Sequence, residues 1–260
     1  MNKVNYKSLR VLFSDLGVKK GRIVMVHGFM PSLGRIEGGY KTFYQALSDS
    51  VGDDGGVIVP TFTYSFTKGE VYDVQKSKST VGDFTNYFIE NNNFCRNLEP
   101  NFSMAGVGKE VREIINNNEG LVFGKDSIYE KIEEKDVLFL LLGIDWDQGL
   151  SYFMHLESSY GVSYRYNKDF KGEVVDYNGN LKVRTAVHCV RDYDMNPIQY
   201  RGRIGKYLEK NNIAKVAQFG YGTHRSIGAQ TLKNEVFKKL ESNRYYLLRE
   251  INGRRVVVDE

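Results

Sequence analysis

The sequence predicts a single α/β domain over residues 1–260, with helices flanking a central sheet that is mostly parallel or mixed. Three observations carry that expectation. Two apolar, β-branched runs, GRIVMVHGF and VIVPTFT, each follow a segment of helical periodicity, giving helix, strand, helix, strand within the first 65 residues. A third run, DVLFLLLGI at 136–144, has the length and all-apolar character of a central strand. No linker-like composition break divides the chain, and no internal repeat recurs.

The elements follow in order. In residues 6–17, Leu9, Leu12, Phe13 and Leu16 recur at helical spacing and Gly17 closes the segment. The strand GRIVMVHGF runs into the loop PSLGRIEGGY. Phe43, Tyr44, Leu47 and Val51 then predict a helix over 40–51, and DDGG turns the chain into the second strand. Residues 66–104 are less regular, and a long irregular stretch in a compact domain is expected to carry function. Residues 105–117 read as helical. After the strand at 136–144 come DWDQG and SYFMHLESSYG, at the strand end where open α/β sheets bind ligands. Residues 163–200 alternate as strands around the hairpin signal Tyr177-Asn178-Gly179-Asn180. An amphipathic helix is expected over 226–241, and the tail RRVVVDE reads as a final strand or a loose end.

Composition bounds the function. Hydrophobic residues make up 41% and charged residues 26%, which places the chain among globular proteins and excludes disorder. Cys95 and Cys189 alone exclude a disulfide scaffold and fit a reducing compartment. The opening MNKVNYKSLR lacks the apolar core of a signal peptide, and no apolar run approaches the roughly 18 residues of a membrane helix. A soluble cytoplasmic protein is expected, with no membrane partner. The balance of 36 Lys and Arg against 32 Asp and Glu, +4, is too mild for a dedicated nucleic-acid binder and suits small anionic ligands such as phosphates. The 18 Tyr and 15 Phe are read as core first and pocket wall second. The glycines from Gly34 to Gly39 form neither a P-loop nor a dinucleotide fingerprint. An α/β hydrolase is disfavoured because no Gly-x-Ser-x-Gly elbow occurs.

Four histidines are the natural candidates for chemistry: His27, His155, His188 and His224. His27 follows a buried strand and is as well explained by a structural role as by a catalytic one. His188 lies beside Cys189, but adjacent strand residues face opposite ways, and two distant cysteines give no zinc spacing, so no metal is expected. His224 in YGTHRS reads as a surface or loop residue. His155 is the leading candidate, just past the central strand with Glu157 two positions on, where a carboxylate can orient an imidazole base. On a regular helix those two positions do not face each other, so the pair requires an irregular turn.

Six blocks, in order and across nearly the whole chain, resemble the aminoglycoside 3-N-acetyltransferase family, its sugar-modifying branch above all. They are VMVHGFMPSLG, EGGYKTFYQAL, DDGGVIVPTFTY, RNLEPNFSMAGVG, GKDSIYEKI and VLFLLLGI followed by SYFMHLE. The resemblance implies a CoA-dependent N-acyltransferase that moves an acyl group from acetyl-CoA, or another acyl-CoA, to the amine of an amino sugar. It implies that His27, Gly28, Phe29, Ser32, Leu33, Arg96 and Ser103 cradle the coenzyme. It places His155, Glu157 and Thr61 at the reaction, with Tyr64, Glu99 and Arg165 on the acceptor. The chemistry agrees: the sugar ammonium must lose a proton, the tetrahedral intermediate needs oxyanion donors, and the phosphates of the coenzyme call for cations or open N–H groups. Backbone N–H groups after Val26 or the Thr61 hydroxyl are the expected oxyanion donors.

The chain also departs from the family pattern. T-x-x-H-x-x-E lays its histidine on Met154, with Glu157 in register and Ser151 in the threonine place, so His155 falls one position late. Gly28 and Phe29 stand where the family has two serines, and Phe29 would reshape the acyl pocket. The basic, tyrosine-rich block YGVSYRYNKDFKG favours a nucleotide-linked amino sugar as acceptor. The alternatives are an aminoglycoside 3-N-acetyltransferase conferring antibiotic resistance, and a non-catalytic CoA- or sugar-binding relative, which a core-facing His155 would favour. The sugar, the acyl chain and any homo-oligomer are left open.

Overall fold

The computed structural model describes residues 3–116 and 121–258. In chain order the elements are α1 (Tyr6–Asp15), β1 (Ile23–Gly28), α2 (Gly39–Val51), β2 (Gly56–Pro60), β3 (Tyr72–Asp73), α3 (Asp83–Asn91), β4 (Cys95–Arg96) and β5 (Met104–Val107). There follow α4 (Lys109–Asn116), α5 (Ile128–Glu134), β6 (Leu138–Leu142), α6 (Tyr152–Tyr160), β7 (Arg165–Val175) and β8 (Leu181–Arg191). The chain closes with β9 (Ile198–Gln199), α7 (Gly202–Lys210), β10 (Lys215–Phe219), β11 (Gly222–Gly228), α8 (Ala229–Ser242), β12 (Leu248–Ile251) and β13 (Arg254–Arg255).

Seven strands form the central sheet in the order β10-β11-β6-β1-β2-β5-β4. Only β6, β1 and β2 run parallel; the pairs β10–β11, β11–β6, β2–β5 and β4–β5 are antiparallel, so the sheet is mixed. Alternation along the three parallel strands feeds two cores. Met25, Ile58, Phe139 and Leu141 point to one face, against α4, α5, α6, α7 and α8. Val24, Val26, Val57, Val59, Leu138, Leu140 and Leu142 point to the other, against α1, α2 and α3. Both faces are covered, which is why these strands read as continuous apolar runs. Each fully buried Leu, Val or Phe contributes roughly 1.5–3 kcal/mol relative to exposure.

The β7–β8 hairpin forms a second sheet with β3, paired from Arg165↔Arg191 to Val175↔Leu181, as the turn at 177–180 predicts. Three expectations are corrected. The segment at 105–117 is not one helix: Met104–Val107 is a strand and the helix begins at Lys109. The predicted helix at 226–241 begins after β11, at Ala229. His224 is not a surface residue but is fully buried in β11, with Nε2 2.9 Å from the Phe219 carbonyl. In the tail, Arg254–Arg255 is a short strand. Position 117 of the predicted helix and positions 259–260 of the tail lie outside the described residues. Among the described residues, no helix is long and apolar enough to cross a membrane.

Candidate active site

The carboxyl ends of β1, β2 and β6 open into a cavity of about 850 Å3. His27, Gly28 and Phe29 line it after β1, Phe62 and Tyr64 after β2, and Leu150, Ser151 and Met154 after β6. The β7–β8 hairpin makes the opposite wall through Arg165, Lys168, Phe170, His188 and Arg191, with Gln199 and Arg201 alongside. The lining carries four cationic side chains, Arg165, Lys168, Arg191 and Arg201, against one carboxylate, Asp83. Gly28 is required by close approach: a Cβ there would lie 2.8 Å from the Leu142 carbonyl oxygen. That contact explains why a serine does not fit at this place in this chain.

The phase of α6 decides what its residues can reach. Tyr152, Phe153 and Leu156 are buried in the core and lock the helix, leaving Ser151 and Met154 on the cavity side. Successive helix residues are about 100° apart, so a one-residue shift turns a side chain away. His155 accordingly points into the core, stacked between Tyr129 and Tyr152 at ring distances of 5.9 and 5.3 Å. The Gly124 N–H donates to its Nδ1 at 3.2 Å, and Nε2 lies 3.4 Å from Glu133 Oε2. No irregular turn brings it to the cavity, so the expectation of His155 as general base is corrected: the position facing the cavity is occupied by Met154.

Glu157 is fully buried. Its carboxylate accepts from Arg165 Nε at 2.8 Å, Arg201 Nη2 at 3.2 Å and the Tyr164 hydroxyl at 3.1 Å. Burial pulls Arg201 below its ordinary value, and Glu157 pulls it back up. Glu157 therefore does not orient His155; it anchors two arginines that line the cavity. Arg165 reaches the cavity only as half of that ion pair.

The Arg96 group belongs to the interior. The guanidinium donates to Thr61 Oγ1 (3.0 Å), the Ser77 carbonyl (2.5 Å), the Thr61 carbonyl (2.7 Å), Thr63 Oγ1 (3.0 Å) and Ser103 Oγ (3.2 Å). It also stacks on Tyr72 at 5.0 Å. Bonded on all three nitrogens and with 1% of its surface exposed, Arg96 is not open to a phosphate. Thr61 and Ser103 are buried in the same network, so neither an oxyanion hydroxyl at Thr61 nor a coenzyme contact at Ser103 is available. Leu33 is wholly in the core. Ser32 packs its hydroxyl against Gly143, where a Cβ would fall 1.8 Å from it. These five positions are corrected from ligand contacts to framework. Phe29 and Tyr64, 59% and 42% exposed, remain on the cavity. Glu99 is buried beside His188, with Oε1 3.4 Å from Nε2, an arrangement that neighbour-by-neighbour reading of His188 and Cys189 missed.

His27 is buried at the end of β1, and its Nε2 has no hydrogen-bond partner among the described residues. Burial pushes its imidazole down to about 4, opposed only by a backbone bond to Gly149. The unfolded chain, titrating near 6.5, takes the proton first. Stability from this residue is therefore whole above about 6.5 and drains as the pH falls toward about 4. Between those two pH values about 3 kcal/mol is lost. Urea denaturation between pH 7 and pH 4 should show His27→Asn losing less stability on acidification than the parent; equal losses would show that His27 is not the group responsible.

The parallel strands of the mixed sheet thus end in a cationic cavity beside a buried Glu–Arg cluster. A structure of AAC-IIIb binary with CoASH superimposes with a TM-score of 0.80 at 18% identity, over 93% of this chain and 97% of that one. A sisomicin-bound AAC-VIa matches with a TM-score of 0.82 at 16% identity, over 93% and 99%. The SPbeta prophage-derived aminoglycoside N(3')-acetyltransferase-like protein YokD of Bacillus subtilis (strain 168) is 26% identical over 174 residues, 58% of this chain and 62% of that protein's length. The sequence profile of the aminoglycoside 3-N-acetyltransferase family matches residues 25–241, from β1 to α8. The chain belongs to that family, a family of acyltransferases.

Proposed function

We propose that the chain is a CoA-dependent N-acetyltransferase acting on an amino sugar of the aminoglycoside kind, with acetyl-CoA as donor. The observation that carries this reading is the cavity at the carboxyl ends of β1, β2 and β6, in a chain matched to the family from residue 25 to residue 241. Lys168 and Arg191 on the rim suit the phosphates of the coenzyme. The AAC-IIIb structure with CoASH and the AAC-VIa structure with sisomicin support the two ligand classes. The aminoglycoside reading replaces the nucleotide-linked sugar as the favoured acceptor, because the relatives point there. The cationic lining still makes the nucleotide-linked sugar the control.

The core-facing His155 favours a second reading, a relative that binds CoA or a sugar without turnover. One experiment separates them. Purified protein is incubated with acetyl-CoA and two panels, aminoglycosides and nucleotide-linked amino sugars, and products are read by mass spectrometry. Acetylated aminoglycoside is the expected result. A melting-temperature rise with acetyl-CoA but no product in either panel supports the non-catalytic reading. Faster acetylation of the nucleotide sugars overturns the acceptor assignment.

A further inference from the structure

We propose that His188, backed by Glu99, is the general base that deprotonates the acceptor amine in this chain; the inference rests on the acyltransferase reading above. A sugar amine at neutral pH is largely an ammonium ion and cannot attack a thioester until it loses a proton. The cavity position matched to the family's histidine holds Met154, whose thioether takes up no proton, and His155 is turned into the core. Two imidazoles remain on the cavity, His27 and His188. His27 resists protonation because it is buried with no carboxylate beside it.

His188 is differently equipped. It stands on β8, opposite Lys168 of β7, and lines the cavity wall. Its ring is held between Phe170 and Phe102, at 4.7 and 5.2 Å. Nε2 lies 3.4 Å from Glu99 Oε1, and the Glu99 carboxylate is itself fixed by the backbone N–H groups of Asn101 (2.9 Å) and Phe102 (3.3 Å). A proton on Nε2, the nitrogen nearer Glu99, would leave the lone pair on Nδ1. Asn101 Nδ2 lies across the ring, 3.2 Å from Nδ1 and 3.3 Å from Nε2. A substrate amine would meet the ring from the cavity side.

The step balances. Nδ1 takes a proton from the ammonium and passes it to solvent. The freed lone pair forms the C–N bond to the thioester carbonyl. The nitrogen then gives a second proton to His188, and the C–S bond breaks with its electron pair on sulfur, which receives that proton. The products are the amide and the free thiol.

The test compares the parent with His188→Gln, His188→Ala and Glu99→Gln, using acetyl-CoA and whichever acceptor the parent acetylates. His188→Gln should lower kcat by about 10²–10⁴-fold. The melting-temperature rise on adding acetyl-CoA should be retained, because the ring serves the amine. Imidazole in the buffer should restore part of the turnover of His188→Ala, a rescue that a merely structural histidine would not give. Glu99→Gln should lower kcat less, with KM for acetyl-CoA unchanged. Turnover of folded His188→Gln within threefold of the parent overturns the assignment, as does loss without imidazole rescue. A parent that shifts with acetyl-CoA but yields no product overturns the base and leaves the non-catalytic reading. A parent with neither shift nor product removes the acyltransferase reading itself.

Discussion

Glu157→Ala should destabilise the fold by about 3–5 kcal/mol, because it strands two buried cations. The side chains of Arg165 and Arg201 are 3% and 8% exposed, and Glu157 is the one carboxylate both ion pairs share. Its loss also leaves the Tyr164 hydroxyl without its acceptor. Glu157→Gln keeps the shape and loses the charge, so it should fall between the parent and the alanine variant. Denaturant unfolding measures the loss directly. The competing outcome is informative: a Glu157→Gln protein with parental stability and no turnover would make the carboxylate a reacting group rather than an anchor.

Arg96→Ala should be nearly as costly. It takes the donor from the Ser77 carbonyl, which left unpaired costs about 1–3 kcal/mol, and empties a fully buried site, while the Thr61 carbonyl and the Thr63 and Ser103 hydroxyls keep their bonds to one another. A loss on the order of 4 kcal/mol is expected after partial relaxation. Arg96→Lys should recover little, since an ammonium cannot span the same fork of acceptors. Folded Arg96→Lys should bind acetyl-CoA as the parent does. A tenfold weaker affinity at unchanged stability would return Arg96 to the coenzyme and refute the structural assignment.

The fold was legible where periodicity is strong. Leu9, Leu12 and Phe13 marked α1, the runs around Val24 and Ile58 marked the parallel strands, and the all-apolar stretch from Leu138 to Leu142 marked the middle of the sheet. The strand Met104–Val107 was hidden because it is four residues long and carries Gly106, which reads as a breaker. That glycine is there for packing: a Cβ would lie 2.3 Å from Val111 of α4. At the site, the strand-end location was legible and the roles were not. Arg96 looks the same in sequence whether it faces a phosphate or a cage of hydroxyls, and the cage comes from Thr61 and Thr63, more than thirty positions away. His155 carried the right letter in the wrong helical phase, which only the packing of Tyr152 and Leu156 fixes. His188 had a signal that pairing it with Cys189 obscured: it shares the period-two inward face of β8 with Ala186.

The cavity is bounded by two sheets that do not share a ladder. Its floor ends the parallel strands of the seven-stranded sheet, while its far wall is a long hairpin in a three-stranded sheet of its own. Heredity can therefore work on the two halves separately. Substitutions along β7 and β8 reshape that wall while the strands beneath stay in register.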